Sequence, residues 1–152
     1  MYKFRGDSSL SLDAKGRLVL PAKYRERLSE SCNSQIVVTI DTDQPCLLMY
    51  PLDEWEKIEE KIDALPSFNP ATRRIQRLLI GHATDGEVDA NGRFLLSSTL
   101  REYAQLTKKV VLIGQGKKFE IWDEANWSQS KEDWLSDQTT SEMPEALAEL
   151  SL

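Results

Sequence analysis

One short stretch occurs twice, and it constrains the fold more than any other feature of the chain. Asp13-Ala14-Lys15-Gly16-Arg17-Leu18-Val19-Leu20 is matched by Asp89-Ala90-Asn91-Gly92-Arg93-Phe94-Leu95-Leu96. An Arg-Glu pair follows each copy at the same distance, Arg25-Glu26 and Arg101-Glu102. A chain of 152 residues carrying such a repeat holds two copies of one supersecondary unit. A unit of half that length buries little core alone, so mutual packing or oligomerisation is expected.

Asp-x-x-Gly is turn chemistry. The carboxylate can accept from backbone N–H groups ahead of it, and glycine can take positive φ without a Cβ clash. Apolar residues flank the turn, Leu10 and Leu12 before it, Leu18 and Leu20 after it. That pattern predicts a hairpin with a four-residue connection, and it places Arg17 and Arg93 at the first strand position after the turn. Pro21 suits the first position of a helix, and Ser97 or Ser98 can cap its counterpart. Each copy therefore reads as strand, tight turn, strand, short helix.

The likeness extends further with weaker identity. Cys46-Leu47-Leu48-Met49-Tyr50-Pro51-Leu52-Asp53-Glu54-Trp55 matches Lys118-Phe119-Glu120-Ile121-Trp122-Asp123-Glu124-Ala125-Asn126-Trp127. Within the first copy, Leu52 to Leu65 forms an amphipathic pattern with Trp55, Ile58, Ile62 and Leu65 on one face. Asn69-Pro70 then starts a connector helix that runs to Ile80 and stops at Gly81. The expected divisions are 1–66 for the first repeat, 67–82 for the connector and 83–152 for the second repeat. The tail after Ser136 is acidic, with a helical turn expected at Pro144 to Leu150.

The net charge of −6 argues at first against nucleic acid, but the charge is segregated. Residues 1–30 hold seven Lys/Arg against four Asp/Glu, and residues 68–118 hold nine against four. Residues 31–67 and 119–152 are acidic, with two against eight and one against nine. A local basic footprint on an acidic protein needs this arrangement, although basic and acidic helices pairing with each other account for part of it. Cys32 and Cys46 lack metal-ligand spacing, so free thiols in a reducing compartment are expected and no metal. No apolar run approaches membrane-spanning length and no signal-peptide pattern opens the chain, so a cytosolic protein is expected. A single histidine, His82, and no phosphate-binding glycine loop leave no catalytic residues, cofactor or small-molecule substrate to assign.

The paired motifs Asp13-x-x-Gly16-Arg17-Leu18 and Asp89-x-x-Gly92-Arg93 resemble those of the MraZ family of bacterial transcription regulators. The segment Arg73-Arg74-Ile75-Gln76-Arg77-Leu78, followed by Gly81-His82-Ala83, is similar to that family's middle segment. The resemblance covers essentially the whole chain. It implies an α+β fold of two tandem AbrB-like swapped-hairpin repeats, a pseudo-symmetric double barrel with flanking helices. It also implies a cytoplasmic, nucleoid-associated ring, an octamer or dodecamer. Such a ring would repress its own operon within the division and cell-wall gene cluster by binding short direct repeats in promoter DNA.

On that reading Arg17, Lys15, Lys3, Arg5, Gly16 and Asp13 are the expected DNA-binding residues. Two roles are open to Arg17: reading a guanine edge in the major groove, or bonding Asp13 across its own turn. The first is assigned to Arg17 and the second to Arg93, with Asp89 and Gly92, because the second copy has lost basic character: Asn91 replaces Lys15, and Thr99 and Tyr103 replace Lys23 and Arg27. Lys15, Lys3 and Arg5 are expected on phosphates, which position without specifying. Arg73, Arg74 and Arg77 are expected to pair with acidic faces of neighbouring helices or subunits. Trp55, Trp122, Trp127 and Trp134 are expected in the core or an interface. The alternative function is a protein-interaction module, antitoxin-like or a ring scaffold, that acts through its acidic helices.

Overall fold

The computed structural model describes residues 2–137 and 149–150. The elements in order are β1 (Phe4–Ser11), β2 (Arg17–Val19), α1 (Ala22–Cys32), β3 (Gln35–Ile40), β4 (Leu47–Pro51) and α2 (Leu52–Asp63). There follow α3 (Pro70–Ile75), a π-helical turn (Gln76–Ile80), β5 (Thr84–Glu87), β6 (Arg93–Leu95), α4 (Ser98–Tyr103), β7 (Lys109–Gly116), β8 (Phe119–Asp123) and α5 (Glu124–Ser136). The fold is α+β, and every strand pairing is antiparallel.

The strands trade partners between the repeats. A six-stranded sheet runs β1-β7-β8-β4-β3-β5, and a two-stranded ribbon joins β2 to β6. β1 of the first copy pairs with β7 of the second, and β5 of the second pairs with β3 of the first. Neither copy holds a complete sheet alone. A pseudo-two-fold relation passes through two pairs of equivalent residues, Leu18 opposite Phe94 and Leu48 opposite Glu120.

This corrects the expected hairpin. β1 and β2 are joined by the tight turn but share no ladder; β2 ladders on β6 instead. β2 is three residues long and sends only Leu18 inward. Its equivalent, Phe94, is the residue that meets it in the core. The turn glycines supply further acceptors: Leu20 N–H donates to the Gly92 carbonyl (2.7 Å) and Leu96 N–H to the Gly16 carbonyl (2.9 Å). The expected barrel closure also takes another form. Among the described residues no ladder joins β1 to β5, so the sheet stays open and the ribbon with α1 and α4 covers its inner face.

The main core lies between that inner face and the ribbon, and includes Phe4, Leu18, Tyr24, Leu28, Phe94, Leu100, Phe119 and Ile121. Tyr24 and Leu28 are the buried residues of α1, an i, i+4 pair that lies on one face of the helix. Pro21 caps α1 rather than opening it, and Ser97 Oγ accepts from Leu100 N–H at the start of α4. On the outer face, Val37, Leu48, Tyr50 and Trp55 form a second cluster beneath α2, Leu79 and Ile80. Asn69 Oδ1 caps α3 by accepting from Ala71 N–H, as its position before Pro70 predicts. The helical turn expected at Pro144 to Leu150 lies largely outside the described residues.

Candidate nucleic-acid interface

Each repeated turn is organised by its aspartate. Asp13 Oδ1 accepts from Lys15 N–H (2.9 Å) and Arg17 N–H (2.8 Å). Its Oδ2 accepts from Arg17 Nε–H at 2.8 Å. The Asp13 carbonyl accepts from Gly16 N–H, and Asp13 N–H donates to the Arg17 carbonyl, both at 3.0 Å. The second turn repeats the set: Asp89 Oδ1 accepts from Asn91 and Arg93 N–H at 2.9 Å, and Oδ2 from Arg93 Nε–H at 3.2 Å. The backbone N–H groups of Arg17 and Arg93 are the main cause holding the Asp13 and Asp89 carboxyls below their ordinary range, and the guanidiniums add to it. Gly16 (φ +84°) and Gly92 (φ +81°) close the turns in the left-handed region.

The ribbon brings the two turns together. Arg17 lies opposite Leu95 and Val19 opposite Arg93, with buried Leu18 and Phe94 between them. Side chains alternate along a strand, so Arg17, Val19, Arg93 and Leu95 share the outward face. Val19 is 43% exposed and Leu95 62%. The face is small, basic and apolar, and both repeats contribute to it equally. The bonds of Arg17 and Arg93 are the same in kind, so geometry draws no line between a reading arginine in one copy and a structural one in the other. The difference between the tips is charge: exposed Lys15 stands where the second has Asn91.

Other expected residues lie elsewhere. Lys3 and Arg5 sit at the far end of β1, where Arg27 Nη1–H donates to the Lys3 carbonyl (2.9 Å) and Tyr24 O–H to the Arg5 carbonyl. Arg5 and Asp13 are eight positions apart with most of β1 between them, on the order of 26 Å, so Lys3 and Arg5 do not join the tip. They gather instead with exposed Lys23 and Arg27 on α1. Arg73, Arg74 and Arg77 are exposed, and none pairs with a carboxylate of this chain among the described residues. The expected pairing with neighbouring helices is therefore absent within that set. Trp55 and Trp122 are buried, while Trp127 and Trp134 pack on Trp122 along α5. His82 Nδ1 lies 2.8 Å from the Leu78 carbonyl, closing the end of the connector.

Two arginines escaped assignment from sequence. Arg25 Nε–H donates to the Leu20 carbonyl (2.7 Å) and Arg101 Nε–H to the Leu96 carbonyl (3.1 Å). Each guanidinium lies over the glycine of the other repeat's turn. A Cβ on Gly92 would stand 2.3 Å from Arg25 Cζ, and one on Gly16 would stand 2.9 Å from Arg101 Cζ. The signal was present in the recurring Arg-Glu pair, but nothing in one dimension says that an arginine reaches the opposite copy.

Asp41, Cys46 and Glu120 bring ligand atoms within 4.8 Å of one another. All three are already engaged: Cys46 Sγ–H donates to Asp41 Oδ2 (3.5 Å), and Glu120 Oε1 accepts from Trp122 Nε1–H (2.8 Å). Burial, then the charges of Glu120 and Asp41, push the Cys46 thiol up, against the thiolate a metal would need. The group carries no metal assignment. No helix among the described residues is long and apolar enough to cross a membrane.

Two fused repeats that exchange strands, and that set two Asp-clamped arginine turns on one exposed ribbon, define the class of protein. A family described as MraZ protein and antitoxin-like matches the chain twice, over residues 3–78 and 79–147. The transcriptional regulator MraZ of Proteus mirabilis is 55% identical over 151 residues, covering 98% of this chain and 99% of that protein. Its namesakes in Serratia proteamaculans and Alkalilimnicola ehrlichii are 54% and 50% identical, with the same coverage. The chain belongs to the MraZ family.

Proposed function

We propose that the chain is a DNA-binding transcriptional regulator that works in the cytoplasm on the nucleoid. It represses the division and cell-wall gene cluster that includes its own operon. The observation that carries this reading is the β2–β6 ribbon, which holds Arg17 and Arg93 on one outward face. A two-stranded ribbon fits a B-DNA major groove, and arginine is the side chain that pairs bidentately with guanine O6 and N7. Asp13 and Asp89 engage each Nε and its backbone, so pairing with a base falls to the Nη groups of each guanidinium. Lys15 adds a phosphate contact, and a homo-oligomeric ring presents several such faces to direct repeats in the promoter. The names of the relatives support the regulatory role.

The test is a titration of labelled promoter duplex against scrambled duplex at several salt concentrations. Specific binding that falls steeply with salt is expected. Arg17→Ala should weaken operator binding by about 1–3 kcal/mol and relax sequence preference. Salt-insensitive capture of a protein partner, with no duplex binding, would favour the interaction-module alternative.

A further inference from the structure

The two unassigned arginines complete a closed circuit across the repeats. The Gly16 carbonyl accepts from Leu96 N–H, the Leu96 carbonyl accepts from Arg101 Nε–H, and the Arg101 guanidinium lies against Gly16. The mirror circuit runs through Gly92, Leu20 and Arg25. Both glycines are buried beneath these planes. A glycine at positive φ is otherwise the freest point of a turn, since it lacks the Cβ that would restrict it. A flat guanidinium pinned at Nε blocks that freedom from the side, and a rounded ammonium on a flexible stem does not reproduce the plane.

We infer that Arg101 is a positioning residue for Arg17, and Arg25 for Arg93, each acting from the opposite repeat. Gly16 immediately precedes Arg17, and Gly92 precedes Arg93, so the clamp sets the backbone from which each reading side chain leaves the ribbon. The inference rests on the DNA-binding reading for its functional consequence, but not for its geometry. It also accounts for why Arg25 and Arg101 recur in register while neighbouring basic residues do not.

The experiment uses the full chain with Arg101→Lys, which keeps the charge and removes the plane, and Arg101→Gln, which removes the charge and is too short to lay its amide where the guanidinium lies. The ratio of operator to scrambled-duplex affinity should fall by about 5- to 150-fold in each, the range for losing one bidentate base contact. The salt slope should stay as in the unmodified protein. Arg101→Lys combined with Arg17→Ala should be no worse than Arg17→Ala alone, whereas combined with Arg93→Ala the losses should multiply. A DNA-independent readout is solvent exchange of the Arg17 Nε–H by NMR, which should speed up in Arg101→Lys while that of Arg93 does not. Arg25→Lys should show the reverse pattern and serves where an Arg101 variant folds poorly. The clamp is overturned if Arg17 Nε–H exchange is unchanged, if the losses with Arg17→Ala multiply, or if Arg101→Lys reads its operator normally. It is also overturned if Arg101→Gln lowers the salt slope by about one phosphate, which would make Arg101 a direct contact. If the unmodified protein fails to prefer its operator, the DNA-binding reading falls, and the exchange measurement still decides the clamp.

Discussion

Leu18 and Phe94 occupy the same position in their respective repeats and lie opposite each other at the centre of the β2–β6 ribbon. Both are buried, and the ribbon they hold carries the outward arginines of both copies. The core contact and the candidate interface are two faces of three residue pairs. Stability of the whole chain and geometry of the interface are therefore coupled at this point.

Leu18→Ala should destabilise the protein by about 2–5 kcal/mol, the range for removing a buried leucine. Because each repeat completes the other's sheet, unfolding should remain one transition, shifted in denaturant midpoint with little change in slope. Chemical denaturation followed by both tryptophan fluorescence and circular dichroism checks this. Two separate transitions would show that the repeats fold independently.

Lys15 is exposed at the first tip, and Asn91 is exposed at the second. Removing the charge with Lys15→Gln should reduce the salt slope of duplex binding by about 0.9, the loss of one phosphate contact. Asn91→Ala should leave that slope alone. Equal losses in a mobility-shift titration would show that both tips dock in the same manner, which the shared ribbon face allows geometrically.

Much of this arrangement was legible in one dimension. The Asp-x-x-Gly-Arg turns, the Asn69-Pro70 cap and the Trp55, Ile58 and Ile62 face of α2 all follow from local chemistry. Partner choice did not. An alternating strand such as β2 announces which face is buried but not which strand lies beside it. Two similarly patterned repeats double the ambiguity, because Leu18 can meet its own repeat or the other equally well by pattern. The same blindness hid Arg25 and Arg101, whose contacts cross the repeats. The basic charge of Lys3 and Arg5 suits phosphate contacts, but charge alone does not say that most of β1 lies between them and the tip.

The acid response of the turns follows from their aspartates. Asp13 and Asp89 are held below the ordinary carboxylate range, chiefly by backbone N–H donors. A depressed folded-state pKa contributes stability that is fully present above the unfolded value near 4 and is lost as pH falls through the lower, folded value. The Asp13→Asn/Asp89→Asn protein should therefore be less stable than the unmodified one at neutral pH. The gap between their melting temperatures should narrow as pH falls below about 4. A gap independent of pH between 2 and 6 would show that the charge of these groups is irrelevant to the turns.

The two thiols should separate cleanly. Cys46 is fully buried and its thiol is pushed up by burial and by the Glu120 and Asp41 charges. Cys32 is only partly buried. Alkylation of the native protein at mild alkaline pH should modify Cys32 first, with Cys46 reacting only after denaturant is added. Mass-spectrometric peptide mapping checks the order, and early modification of Cys46 would contradict its burial immediately before β4.

The last expectation concerns affinity, and magnitudes decide it. One chain's ribbon offers few cations to a duplex: Arg17, Arg93 and Lys15, with Asp13 and Asp89 offsetting the two arginines. Neutralising a handful of phosphates gives binding in the range of roughly 10⁻⁴–10⁻⁶ M at physiological salt. A regulator competing with a genome of non-specific sites needs much more than that. Holding several identical ribbons on one rigid assembly makes each later contact intramolecular, worth about 10²–10⁴ in avidity where the spacing of the faces matches the spacing of the DNA repeats. Affinity should therefore climb steeply with the number of direct repeats at fixed spacing. It should collapse when about five base pairs, half a helical turn, are inserted between them, because the second face then meets the wrong side of the duplex. Titrating duplexes of one, two and three repeats, with and without the insertion, measures both effects. If a single repeat binds as tightly as three, one ribbon carries the whole interaction and assembly contributes nothing to affinity.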